Sequence, residues 1–293
     1  MKQETKAKLA LILSMSIFGT IGIFRRYIPL SSSAIAFVRG VIGTFSLLLV
    51  ILFLKKPIDK DRIKQYLLLL ILSGAMIGFN WILLFEAYNY TSIATATLCY
   101  YMAPVIVILS SPFVLKEKLT VKKSICTLVA FVGMVLVSGV IENGFNVTSE
   151  MKGVLFGLGA AILYGSVVLI NKMITGIDAY SKTIIQLASA SITLFPYLLI
   201  TEGGIHIPND FFILSMIVMV GVIHTGFAYA LYFGTAKDLD AQTMALYSYI
   251  DPIVAIILSV LLLHEGMNAF ELIGAILILG ATIISDLNLK KAK

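Results

Sequence analysis

Residues 98–117 read LCYYMAPVIVILSSPFVLKE, and 148 positions further on residues 246–265 read LYSYIDPIVAIILSVLLLHE. Leu98, Tyr101, Pro104, Ile108, Ser111, Leu115 and Glu117 recur there as Leu246, Tyr249, Pro252, Ile256, Ser259, Leu263 and Glu265. The register holds without a gap back to residue 78, adding Gly78/Gly226, Phe79/Phe227, Leu83/Leu231, Phe85/Phe233 and Thr95/Thr243. An apolar composition inflates matches among Leu and Ile, but paired Tyr, Pro and Glu are harder to obtain by chance. Phe18-Gly19 and Tyr164-Gly165 correspond more loosely. The chain is therefore read as two repeats, 1–145 and 146–293.

The repeated stretch is too apolar for a soluble domain, and so is the rest. Of 293 residues, 59% are apolar and 13% charged, and the mean hydropathy is +0.98. A soluble domain carries roughly 25% charged residues, so this chain lacks the polar surface to cover a globule of its size. That excludes an ordinary cytosolic enzyme, a disordered chain and a nucleic-acid binder. About 20 mostly apolar residues cross ~30 Å of hydrocarbon as a helix. Ten such runs lie near 9–28, 32–54, 66–88, 92–115, 124–141, 153–174, 183–200, 211–235, 240–263 and 269–286. They are continuous and lack the alternation of a membrane barrel. Helices are required because lipid offers nothing to unpaired backbone groups. The first run shows no small-residue cleavage site and continues into Arg25 and Arg26, so it is read as a span. Cys99 and Cys126 both fall inside apolar runs, which leaves no disulfide framework or zinc spacing.

Each repeat holds five spans. An odd number sends the second repeat into the membrane from the opposite side. The expected fold is thus an all-α membrane protein of ten transmembrane helices in two five-helix inverted-topology repeats. The +6 formal charge is a topology signal. Segments 1–8, 55–65, 116–123, 172–182 and 287–293, together with Lys237, hold all but four of the 22 lysines and arginines. Arg25, Arg26 and Lys152 fall on the other side, and Arg39 lies within the second span. The positive-inside rule then places both termini in the cytoplasm, in a multi-pass protein of the cell membrane.

Tyr90-Thr91-Ser92 precedes an Ala/Thr-rich span, followed by Ala103-Pro104 and by Leu115-Lys116-Glu117-Lys118-Leu119-Thr120; the second copy carries Asp251-Pro252 and Leu263-His264-Glu265. These runs resemble the EamA module, and nearly the whole chain resembles the ten-span members of the drug/metabolite transporter superfamily. The resemblance implies movement of amino acids, other small metabolites or toxic compounds, often outward.

Ionisable groups at membrane depth mark the candidate site. Asp251 lies midway along the ninth span, where a carboxylate costs roughly 2.5–3.5 kcal/mol on insertion scales. It either serves coupling or caps a kink. Pro104 and Pro252 interrupt the fourth and ninth spans at matched positions, a pointer to a central transport site. His224 lies mid-span and shares a helix face, one turn away, with the position matched by Asn80. It either relays protons and binds solute or closes an interhelical hydrogen bond. Arg39 either clamps an anion or locks two spans, and Glu86, at similar depth, is a candidate partner closing an outer vestibule. Tyr101/Tyr249 and Trp81/Tyr229 are repeat mates suited to matched gates, and Tyr164 joins them as a candidate cavity residue. On a regular helix Tyr100 and Tyr101 point about 100° apart, so one of them is expected to miss the cavity. Glu117 and Glu265 read as loop or cap residues.

The expected function is secondary active transport of a small organic metabolite by alternating access, with protons as a candidate coupling ion. The solute is expected to be neutral, zwitterionic or amphipathic. No phosphate-cradling loop occurs, so ATP hydrolysis is not indicated. No cofactor, metal or nucleic-acid partner is expected; the partners are the small-molecule solute and the lipid bilayer. The rival reading is an intramembrane enzyme, which needs converging acids, nucleophiles or ligands at one depth. Of three histidines, His206 and His264 fall in loops and only His224 lies at that depth. A non-transporting membrane partner protein is the third class.

Overall fold

In order along the chain, the helices are α1 (Gln3–Arg26), α2 (Ser32–Phe53), α3 (Lys60–Tyr90), α4 (Ala103–Val114), α5 (Val121–Val137) and α6 (Val147–Met173). Then follow α7 (Ala179–Glu202), α8 (Phe211–Thr235), α9 (Ala241–Tyr247), α10 (Ile250–Leu263) and α11 (Ala269–Asp286). The structure, a computed structural model, describes residues 3–53, 55, 58–91, 96, 99–137, 141, 147–205, 207–263 and 269–286. No strand occurs among them. Aspartates open four of these helices. Asp59, Asp178, Asp210 and Asp240 accept amides in the first turns of α3, α7, α8 and α9, satisfying donors that have no intrahelical partner.

Five of these helices are long and apolar enough to cross a membrane: α2, α3, α6, α7 and α8. The ten expected runs mostly become helices, but not ten uninterrupted ones. The ninth run, 240–263, splits into α9 and α10 at Ser248–Tyr249, and the described part of the fourth breaks at Tyr101–Met102 before α4. Tyr101 and Tyr249 are repeat mates, so the two breaks coincide under the repeat. The expected kinks at Pro104 and Pro252 are corrected in detail. Pro104 stands in the first turn of α4, where its missing N–H leaves no bond unmade, and Pro252 stands in the first turn of α10. Each proline starts a new helix after the break and does not bend a continuous one.

Polarity runs inside out. Ser14, Ser73, Asn80, Ser111, Gln186, Thr225 and Gln242 are fully buried, while Phe113 and Phe211 stand 87% and 88% exposed. Such a surface suits hydrocarbon, and interior hydroxyls and amides supply interhelical bonds.

The helices pack mainly across the repeats, and nearly every major contact has its mate. α3 packs on α6 and α7; α8 packs on α1 and α2. α6 meets α4, and α1 meets α10. α2–α7 and α5–α11 each pair equivalent positions, and α4 also packs on α9. Close approach on these seams needs small residues. A methyl at Gly78 would sit 2.8 Å from the Ala190 carbonyl oxygen of α7, and one at its mate Gly226 would sit 2.6 Å from Ser46 Oγ of α2.

Candidate functional site

Where the two helix breaks face each other, between α1 and α6, the chain leaves a small cavity of about 40 Å³. Phe18 lines it from α1, Tyr164 from α6, Tyr100, Tyr101 and Pro104 from the first break, and Ser248 and Asp251 from the second. Tyr100 and Tyr101 both reach it, against the expectation for a regular helix. The chain leaves helical geometry at Tyr101, so successive side chains need not diverge. Tyr101 Oη donates to Asp251 Oδ2 at 3.2 Å, and Tyr249 Oη donates to the Tyr101 carbonyl at 3.3 Å.

Repeat mates meet. The Tyr101 and Tyr249 rings stack with centroids 6.3 Å apart, and the Trp81 and Tyr229 rings meet edge-on at 6.3 Å. Tyr229 also packs against Phe18, and Tyr164 against Tyr100 and Tyr232. Beyond Trp81 lies Arg39, its guanidinium 4.4 Å from the ring centroid. Arg39 Nε is buried without a hydrogen-bond partner, and no carboxylate pairs with the side chain among the described residues. The expected Arg39–Glu86 pair is not formed. Glu86 accepts from Tyr197 Oη at 2.5 Å and from Asn89 Nδ2 at 3.4 Å, tying the end of α3 to α7.

His224 and Asn80 occupy matched places but do not line this cavity. His224 Nε2 lies 2.7 Å from Thr20 Oγ1 of α1, with Phe24 edge-on to its ring. Asn80 Nδ2 donates to the Ala160 carbonyl of α6 at 2.6 Å. Each side chain thus ties the third helix of one repeat to the first helix of the other. Around His224, residues Val220–Phe227 form a π-helical stretch within α8. Such wide turns recur at functional positions, and nothing in the residue pattern announced this one.

Three groups escaped sequence reasoning because their meaning is tertiary. Gln242 Nε2 donates to Ser111 Oγ across the repeats at 2.8 Å, and Gln186 Nε2 to Ser73 Oγ at 2.7 Å. Outside the spans, Lys123 Nζ meets Asp240 Oδ1 at 2.7 Å, while Glu117 Oε1 accepts the Ala241 amide at 3.0 Å. Glu117 is therefore a cap that spans the repeats, whereas Glu265, His206 and His264 lie outside the described residues. Burial pushes the Asp240 carboxyl up, but Lys123 and the Thr243 hydrogen bonds outweigh it and hold the group below the usual carboxylate range. Among the described residues no cluster of His, Cys, Asp or Glu is placed to hold a metal ion.

A profile of the EamA-like transporter family matches residues 5–139 and again 151–285. The chain is 29% identical to a protein named uncharacterized transporter YxxF of Bacillus subtilis (strain 168), over 94% of this chain and 88% of that one. It is 26% identical to uncharacterized transporter YoaV of the same organism, covering 85% and 84%, and 24% identical to Protein PecM of Dickeya dadantii (strain 3937), covering 74% and 72%. A solved crystal structure superposes with a TM-score of 0.82 at 17% identity, over 96% of each chain, which speaks to the fold.

Proposed function

The chain belongs to the EamA-like transporter family and is a multi-pass membrane transporter; from that premise we propose that it is a secondary active transporter moving a small organic solute across the cytoplasmic membrane by alternating access. In this reading repeats 1–145 and 146–293 are inverted five-helix units, ten spans in all, with both termini cytoplasmic. The interrupted fourth and ninth spans form the floor and roof of one central site. The solute sits among Tyr101, Tyr164, Tyr229, Tyr249 and Trp81. Asp251 faces a cationic group and Arg39 an anionic one, so the favoured solute is zwitterionic. Asn80 and His224 tie the repeats together beside the site, and Glu86 with Tyr197 closes one end of the seam. Asp251 is the candidate group for proton coupling, and the favoured direction is outward.

One observation carries this reading: two helix breaks, matched under the repeat, meet at a cavity that holds an acid, and beyond Tyr229 and Trp81 lies an arginine without a carboxylate partner among the described residues. Charges at that depth are expensive and are retained where a substrate uses them. The test is solute counterflow in proteoliposomes. Preloading with unlabelled solute should drive transient accumulation of labelled solute, and Asp251→Asn should abolish accumulation driven by a pH gradient while counterflow persists at raised solute concentration. A candidate solute that binds yet shows no counterflow would overturn the transporter mechanism. Unchanged gradient-driven uptake in Asp251→Asn would overturn the coupling role.

A further inference from the structure

At one end of α6, α7 and α8 lies a second and larger cavity, of about 640 Å³, lined only by residues between 171 and 237. Its lining comes from the second repeat, with Arg62 and Tyr66 of α3 approaching Gly176 and Thr175 at its rim. Lys182 lines it and is only 4% exposed. Its Nζ donates to the Asn171 and Ile174 carbonyls at 3.1 and 3.0 Å. Lys172, half-buried, donates to the Ala236 and Leu239 carbonyls. An ammonium has three donors, so each of these lysines keeps one beyond the two it spends. Lys237 lines the same space from an exposed position. None of the three meets a carboxylate among the described residues. Asp178 also lines the cavity, but its Oδ1 is committed to the Tyr180 and Ser181 amides. The lining includes one buried acceptor as well: Asn171 is 1% exposed, and its Oδ1 has no partner.

A buried ammonium without a counter-ion is costly to keep. The positive-inside pattern accounts for solvated loop lysines and does not require one sunk to 4% exposure.

We propose that this cavity binds a phosphate ester carrying a free hydroxyl, through Lys172, Lys182 and Lys237, with Asn171 Oδ1 accepting from the hydroxyl. Three lysines against one aspartate leave a double positive charge, and a phosphomonoester carries about −1.5 to −2 at neutral pH. Lysine serves as a point-charge phosphate ligand. The cavity opens where the helices end, so both a phospholipid headgroup and a soluble organic phosphate can reach it. The proposal concerns binding and does not depend on the transport reading.

The full-length protein in phosphatidylcholine nanodiscs is titrated with glycerol 3-phosphate, and in parallel placed in nanodiscs containing phosphatidylglycerol. Thermal shift and retained lipid by native mass spectrometry are the readouts. A rise in unfolding midpoint with glycerol 3-phosphate identifies a soluble ligand; retention of phosphatidylglycerol over phosphatidylcholine identifies a lipid one. In either arm Lys172→Met and Lys182→Met each weaken binding by at least about tenfold, the worth of one charge-assisted hydrogen bond. Asn171→Leu weakens it less, and Lys118→Met, an exposed loop lysine, leaves it unchanged. Should Lys182→Met not fold, Lys172→Met and Asn171→Leu decide the matter. Absence of binding in both arms, or equal binding by wild type and the lysine variants, overturns the proposal.

Discussion

Arg39→Met separates the two roles open to this arginine, because they predict opposite signs for stability. If Arg39 locked two helices through a buried ion pair, removing it would orphan a carboxylate at about 3–5 kcal/mol. The structure holds no such carboxylate among the described residues; the guanidinium rests on Trp81 at 4.4 Å with Nε unpartnered. What the variant loses is a cation–π contact, about 1–2 kcal/mol when desolvated. What it gains is relief from burying an ion whose desolvation costs several kcal/mol. Methionine keeps most of the aliphatic volume and contacts aromatic rings favourably. The expected outcome is stability unchanged within about 1 kcal/mol, or raised, by denaturant unfolding of the purified protein. Binding of an anionic or zwitterionic solute should fall about 30-fold or more, since a buried charge contact is worth 2–5 kcal/mol on truncation. Arg39→Lys should restore only part of it, because the planar fork is lost. A variant destabilised by more than about 3 kcal/mol that transports normally would show Arg39 to be a structural lock.

Gly78→Ala and Gly226→Ala should each cost about 1–3 kcal/mol by overpacking; Gly78→Ala should be the worse, because it meets a backbone carbonyl at 2.8 Å whereas Gly226→Ala meets a serine hydroxyl at 2.6 Å. Equal, negligible effects on unfolding midpoint would contradict the close α3–α7 seam. Asn80→Leu, removing a 2.6 Å bond to the Ala160 carbonyl, should cost about 1–3 kcal/mol while leaving solute affinity intact; a selective loss of affinity would put Asn80 in the site. For Asp240, the folded carboxyl titrates below its ordinary value of about 3.8. Its contribution is thus present above that value and lost as pH falls through the lowered one. The unfolding midpoint of wild type should fall more steeply than that of Asp240→Asn over this acid range, and parallel curves would refute the assignment.

The gross plan was legible because membrane spans obey length and polarity rules that sequence carries directly. Run 211–235 matches α8 and run 269–286 matches α11. The repeat singled out Tyr101/Tyr249 and Trp81/Tyr229 as mates, and in the structure the rings of each pair meet. Residues near a two-fold pseudo-axis contact their own mates, so a linear match became a spatial one. The prolines pointed to interrupted fourth and ninth spans, but the local form of the backbone departures was not legible. Tyr100 and Tyr101 share a cavity only because the chain breaks between them and α4, and His224 sits in a π-helical stretch with no residue signature. Partner choice was likewise hidden. Glu86 selects Tyr197 over Arg39, and Lys182 reaches back across the α6–α7 turn to the Asn171 and Ile174 carbonyls, because packing of α7 decides what lies within reach.

The two repeats agree on scaffolding and differ in chemistry, and the difference is informative. Gly78 and Gly226 are kept at matched seams, as are the two breaks and the stacked tyrosines. Yet Asp251 answers to Ala103 and His224 to Met76. A frame that exchanges two mirror-related states needs its seams equivalent, since each state of one repeat is the other state of its mate. A solute with a head and a tail needs the reverse. Identical charges placed symmetrically about the axis would bind it equally in two orientations, and would place like charges close together. Symmetric seams with asymmetric charge satisfy both demands. The same logic predicts that moving the acid across the axis, as Ala103→Asp with Asp251→Ala, returns more solute binding than either single change. A double variant no better than Asp251→Ala alone would show that the acid acts through its own helix and not through the shared cavity.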